Sequence, residues 1–131
     1  MKQVITTSNA PKAIGPYSQA VRTGNLLFIS GQIPLRPDGE MVSGGIEAEA
    51  RQVLENIKAI LAEVGLDFGA VVRSTMYLID LNDFAKANEI YGEYFSEPYP
   101  ARVTIQVAGL PKGAMIEIET VAEIAEQSLS G

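Results

Sequence analysis

The chain has 131 residues, a net charge of -6 at pH 7, and neither histidine nor cysteine. That length predicts one domain spanning residues 1–131, and the missing residue types exclude thiol nucleophiles, disulfides, thiolate or imidazole metal sites and any histidine-based triad. The Lys and Arg side chains form no basic block, which argues against nucleic acid as a partner. No apolar run approaches the ~20 residues of a membrane span, and the opening Met1-Lys2-Gln3-Val4-Ile5 lacks the apolar core of a signal peptide, so a soluble cytoplasmic protein is expected.

In chain order, Lys2 to Thr7 is a short β-prone run, and Ser8 to Pro11 is a loop. Gly15-Pro16 marks a turn, after which a strand runs to Thr23-Gly24-Asn25. Leu26 to Ser30 is nearly all apolar, the pattern of a strand buried on both faces, and Gly31 breaks it before Gln32-Ile33-Pro34. Asp38-Gly39 is the tip of the next turn. From Ile46 to Val64 the period becomes helical: Ile46, Ala50, Val53, Leu54, Ile57, Leu61 and Val64 form one stripe, and Gly65 suits the position after the last turn. Ala70 to Ile79 is β-rich. A second helix, capped by Asp80 or Asn82, reaches about Phe95, with Phe84, Ala87, Asn88, Tyr91 and Phe95 on one stripe and Asn88 its one polar member.

Two prolines, Pro98 and Pro100, reset the chain to extended geometry. In Tyr99 to Val107 alternation places Arg102, Thr104 and Gln106 on one face, a polar or partly wet one. In Met115 to Glu123, Glu117 and Glu119 share a face opposite Ile116 and Ile118. The turn Leu110-Pro111-Lys112-Gly113 between them would pair these two strands antiparallel. Glu126 to Gly131 reads as a frayed tail. The order of elements predicts a two-layer α/β sandwich, a mixed sheet with both helices on one face. Its other face, rich in apolar strand residues, is expected to be buried against another subunit.

A guanidinium is a planar fork that matches a carboxylate, and a carboxylate can orient water or exchange a proton. Arg102 and Glu117, each inside an otherwise apolar strand, therefore suggest a small anionic ligand held by Arg102 with Glu117 near its reactive end. Taken alone, each has a structural explanation: an ion pair for the arginine, a solvated sheet position for the glutamate. Tyr17 is equally suited to fill an interface, Gly31 to form a bulge, and Asn88 to tie a helix to the sheet. Ser30 lacks a visible base, no glycine-rich stretch has phosphate-loop spacing, and the tyrosines read as core and interface packing.

Together the segments Ala13-Ile14-Gly15-Pro16-Tyr17-Ser18-Gln19-Ala20, Leu27 to Pro34, Gln52 to Leu61, Pro100-Ala101-Arg102 and Ile116-Glu117-Ile118-Glu119 resemble the reactive intermediate deaminase family, the RidA or YjgF-like proteins. The resemblance implies a chorismate-mutase-like trimer, with helices outside, sheets around a central barrel and ligand clefts between subunits. It implies hydrolysis of 2-imino acids and their enamine tautomers, such as 2-aminoacrylate and 2-iminopropanoate, to 2-keto acids and ammonia, without metal or cofactor. By the same resemblance Arg102 grips the substrate carboxylate, Glu117 positions or activates water, and Tyr17, Gly31, Asn88 and Thr104 line the substrate site. Thr104 departs from the family pattern, where many members carry cysteine, and predicts an altered cleft shape or substrate preference. Two other readings stand beside this one: a non-catalytic trimeric sensor or binding protein for keto-acid-like metabolites, and a ribonuclease or translation inhibitor, which the acidic charge disfavours.

Overall fold

The computed structural model describes residues 1–125; the tail expected to fray, Glu126 to Gly131, lies outside the described residues. Its strands are β1 (Gln3–Ile5), β2 (Ala20–Thr23), β3 (Leu26–Gln32), β4 (Val71–Leu78), β5 (Ala101–Gln106) and β6 (Ile116–Glu123), and its helices are α1 (Gly45–Glu63) and α2 (Phe84–Tyr94). All six strands form one sheet in the order β1-β2-β3-β6-β4-β5. The β4–β5 pair is parallel and the other pairs are antiparallel, so the sheet is mixed as expected.

The apolar stripe of α1 fixes the layer. Val53, Leu54, Ile57, Ile60 and Leu61 are fully buried and join Leu27, Ile29, Met76, Leu78, Ile116 and Ile118 from one face of the sheet in a single core. After the last turn Leu66 N donates to Leu61 O at 2.9 Å, and Gly65 takes a φ of 74° that a residue with a Cβ rarely adopts. Asp80 caps, through Asn82 N at 2.9 Å, a 3-10 turn (Leu81–Asp83) that leads into α2. One buried polar side chain does the work of several backbone pairs. Gln19 accepts from Thr7 N at 2.7 Å and donates to the carbonyls of Thr7, Ala10 and Pro11 at 3.1, 3.3 and 2.8 Å, stitching the loop before β2 to the sheet. Gln19→Ala leaves these buried groups without partners, and the expected loss is about 3 kcal/mol, read as a lower denaturant midpoint at unchanged slope.

Two expectations are corrected. The strands flanking Leu110 to Gly113 do not form a hairpin: β4 lies between β5 and β6, parallel to the first and antiparallel to the second. A turn is present at Pro111–Gly113, but it carries the chain past the end of β4. There Val107 N donates to Leu78 O at 2.8 Å and Ile79 N to Met115 O at 3.2 Å. The first strand after Asn25 is not buried on both faces either. Leu27 and Ile29 are buried, whereas Phe28 on the opposite face is 44 % exposed, because only one side of the sheet is covered by helices. The bare face also carries Val103 at 48 % and Ile105 at 44 % exposure, on the edge strand β5. It is the face for which the sequence predicted a subunit partner. Among the described residues no helix is long and apolar enough to cross a membrane.

Candidate active site

Arg102 lies on β5 opposite Ser74 of β4. Since Ser74 belongs to the buried, helix-facing row of its strand, the arginine points to the helix side, beneath α2. There Arg102 Nη1 donates to Asn88 Oδ1 at 2.8 Å. Its guanidinium carbon is 4.7 Å from the centre of the Tyr91 ring and 5.5 Å from that of Phe84, within cation–π range of both. The Tyr91 hydroxyl shares a hydrogen bond of 2.5 Å with Ser74 Oγ. No carboxylate pairs with Arg102 among the described residues. Arg102, Asn88, Tyr91, Tyr99 and Pro100 line a recess of about 400 Å³ at the sheet edge. A positive fork, oriented by neutral groups and not neutralised, is what a small carboxylate would need.

Glu117 sits in a second recess, of about 610 Å³, which Tyr17, Ser30, Gly31, Lys112 and Glu119 also line. Here the irregular register of β3 against β6 between Ile29 and Gln32 brings the Gly31 backbone under the glutamate. A Cβ on Gly31 would lie 2.8 Å from the Glu117 carboxyl carbon, so the glutamate occupies the space that the missing side chain leaves. Burial, and secondarily the charge of Glu119, pushes the Glu117 carboxyl above the usual carboxylate range. Glu119 in turn accepts from the Tyr77 hydroxyl at 2.6 Å, which raises the Tyr77 phenol above its ordinary value. Such a carboxylate is a better proton acceptor than an exposed one. Gly31→Ala is expected to displace Glu117 while leaving the fold in place, seen as a change in the titration of the Glu117 carboxyl by NMR with a nearly unchanged melting temperature.

Five of the six residues singled out in the sequence thus fall into two groups. Arg102 and Asn88 share one recess, and Tyr17, Gly31 and Glu117 share the other. Thr104 is half-buried on the helix side, opposite Met76 in register, and lines neither. Arg102 and Glu117 do not come together within a single chain. Glu117 pairs with Tyr77 on the bare side of the sheet, three register positions from Ser74 and one strand beyond it. Strand spacing and rise put the two Cα atoms about 14 Å apart, and their side chains leave opposite faces. Tyr91 and Phe84 were missed as site residues because aromatic residues on a helix stripe look like core. Lys12 and Lys112 also line the Glu117 recess.

A family model described as Endoribonuclease L-PSP matches residues 7–124. The chain is 59 % identical over 123 residues to a RutC family protein of Pyrococcus horikoshii, covering 93 % of this chain and 98 % of that one. It is 53 % identical over 123 residues to the human 2-iminobutanoate/2-iminopropanoate deaminase, covering 93 % and 90 %. The crystal structure of E. coli TdcF with bound serine superposes with a TM-score of 0.88 at 45 % identity, covering 94 % of this chain and 99 % of that one. With one family model spanning almost the whole chain and relatives this close in both sequence and fold, the protein belongs to the Endoribonuclease L-PSP family, that of the RidA and YjgF-like proteins.

Proposed function

We propose that the protein is a 2-imino acid deaminase, which converts enamines and imines such as 2-aminoacrylate and 2-iminopropanoate to 2-keto acids and ammonia. The observation that carries this reading is the unneutralised Arg102, held by Asn88 and two aromatic rings, in a chain that also presents a carboxylate of raised proton affinity at Glu117. The human relative's name supplies the reaction, and the serine bound by TdcF is a small α-amino carboxylate of the size that the Arg102 recess would take. In this reading the working cleft lies between subunits of a homotrimer, which is supported by Arg102 and Glu117 leaving opposite faces of one sheet. Tyr17, Gly31 and Glu117 of one chain face Arg102 and Asn88 of the next. The exposed Phe28, Val103 and Ile105 are the apolar surface that such an assembly would bury.

In that cleft Arg102 takes the substrate carboxylate in two charge-assisted hydrogen bonds, which aims the imine carbon at the water held by Glu117. An iminium carbon is already electrophilic, so the step requires only a positioned water and a place for its proton. As the water oxygen bonds to carbon, Glu117 accepts the proton and the C=N π pair moves to nitrogen. The resulting carbinolamine takes that proton on nitrogen, the C–N bond breaks, ammonia leaves, and loss of the hydroxyl proton leaves the keto acid. Tyr17, which lines the Glu117 recess, borders the substrate's side chain.

The test is keto-acid appearance from 2-aminoacrylate generated in situ by a pyridoxal-phosphate lyase, with the mass of the assembly measured on the same preparation. Acceleration over spontaneous hydrolysis by a species of three chains is the expected result. A folded trimer that binds 2-oxobutanoate through Arg102 yet accelerates nothing would make the protein a sensor of keto acids instead.

A further inference from the structure

The ring of Tyr91 is tied down on three sides. Its hydroxyl is hydrogen-bonded to Ser74 Oγ at 2.5 Å, Phe95 stacks on it with ring centres 4.1 Å apart and planes 18° from parallel, and the Arg102 guanidinium lies 4.7 Å from its centre. Ser74 is also the register partner of Arg102 on the neighbouring strand, so one serine fixes both the strand that carries the arginine and the ring against which its side chain rests. The tyrosine is 5 % exposed, so it borders the recess with only a small part of its surface, and its phenol is held above its ordinary value chiefly by burial, so it stays neutral. A neutral π face next to a cation orients it without cancelling its charge, whereas a carboxylate in the same place would occupy the fork.

We propose that Tyr91 is a positioning residue for carboxylate recognition: its ring, locked by Ser74 and Phe95, holds the Arg102 guanidinium in the orientation that receives the substrate. The inference rests on the reading of Arg102 as the carboxylate-binding group. It divides the labour in the recess: Asn88 Oδ1 fixes one edge of the guanidinium through Nη1, the ring fixes its plane, and the remaining N–H groups serve the ligand. A long side chain that is already immobilised loses less freedom when the ligand arrives, which is where the gain in affinity originates.

The test replaces Tyr91 with phenylalanine and then with 4-fluoro-, 3,5-difluoro- and 3,4,5-trifluorophenylalanine in the full chain. Each added fluorine depletes the negative ring face while hardly changing its shape. Binding of 2-oxobutanoate is measured by calorimetry, along with the melting temperature and KM and kcat for imine hydrolysis, beside Arg102→Ala. With Tyr91→Phe, which already lacks the hydrogen bond to Ser74 Oγ, as the reference, the expected result is a stepwise rise in the dissociation constant and in KM with added fluorine, about tenfold from Tyr91→Phe to the trifluoro variant, with kcat and melting temperature nearly level among these four proteins. Binding that depends on Arg102 but is the same across the series would overturn the role of Tyr91 and leave the carboxylate site standing. Binding that is absent, or indifferent to Arg102→Ala, would overturn both.

Discussion

Replacing Arg102 with alanine is expected to lower kcat/KM for 2-imino acid hydrolysis by about a thousandfold. Hydrogen bonds to charged groups contribute about 1.5–3 kcal/mol each, and in the proposed site the substrate carboxylate would take two from the guanidinium fork. At about 1.4 kcal/mol per factor of ten, their joint loss spans roughly two to four decades. The fold should tolerate the change: Arg102 is half-buried at an edge strand, makes no ion pair among the described residues, and its removal takes one hydrogen bond from Asn88 and the cation from the Tyr91 and Phe84 rings. Arg102→Lys keeps the charge but loses the planar fork and much of the fit to the Tyr91 face, and it should recover only part of the activity. Steady-state kinetics with excess lyase to supply substrate, alongside melting curves of each variant, would decide the matter. A folded Arg102→Ala protein within a few-fold of native kcat/KM would remove the arginine from the site.

Glu117→Gln is the second large effect, expected in kcat. A positioned general base is worth roughly 10²- to 10⁴-fold, and glutamine keeps the size of the side chain over Gly31 while losing the proton acceptor. The same substitution should change stability in the opposite sense. The native carboxyl binds its proton more tightly than the unfolded one, since burial and Glu119 both disfavour its charged form. Below the unfolded pKa both states are protonated and the glutamate costs nothing. As pH rises through the raised native pKa, the folded state must accept an unwelcome charge and stability is lost. Glu117→Gln removes that loss, so the variant should melt higher than native protein at pH 7 and nearly level with it at pH 4. The native pH–rate profile should fall on the acid side through a pKa above the usual carboxylate range, a limb absent from the residual activity of the variant. A variant equally active and equally stable at both pH values would mean that Glu117 is neither a base nor strained.

The acidic chain and the carboxylates of the Glu117 recess also bear on the ribonuclease named in the family's description. Glu117 and Glu119 would face a phosphate backbone with like charge in that recess, whose only cations among its lining residues are Lys12 and Lys112.

What the sequence determined by itself was whatever short-range periodicity encodes. The stripe of α1, its end at Gly65, the strand runs, and the turn at Asp38-Gly39 are fixed by spacings of two to four residues, and local geometry reproduces them. The candidates Arg102 and Glu117 could be singled out in the sequence too, because an arginine and a glutamate in apolar strands stand out against their neighbours. The tertiary structure alone decided which strands are neighbours and which face is covered. Alternation sorts Arg102 from Val103 but does not say which of them α2 crosses over. A turn at Pro111–Gly113 has the same local chemistry whether it closes a hairpin or passes the end of β4. Nor did the helix stripe distinguish Tyr91 from a core residue, since its role comes from Arg102 and Ser74 in strands that reach it only in the folded chain. Sidedness and partnership are non-local contacts, made by residues far apart in sequence, and it is they that place Arg102 and Glu117 on opposite faces of one sheet.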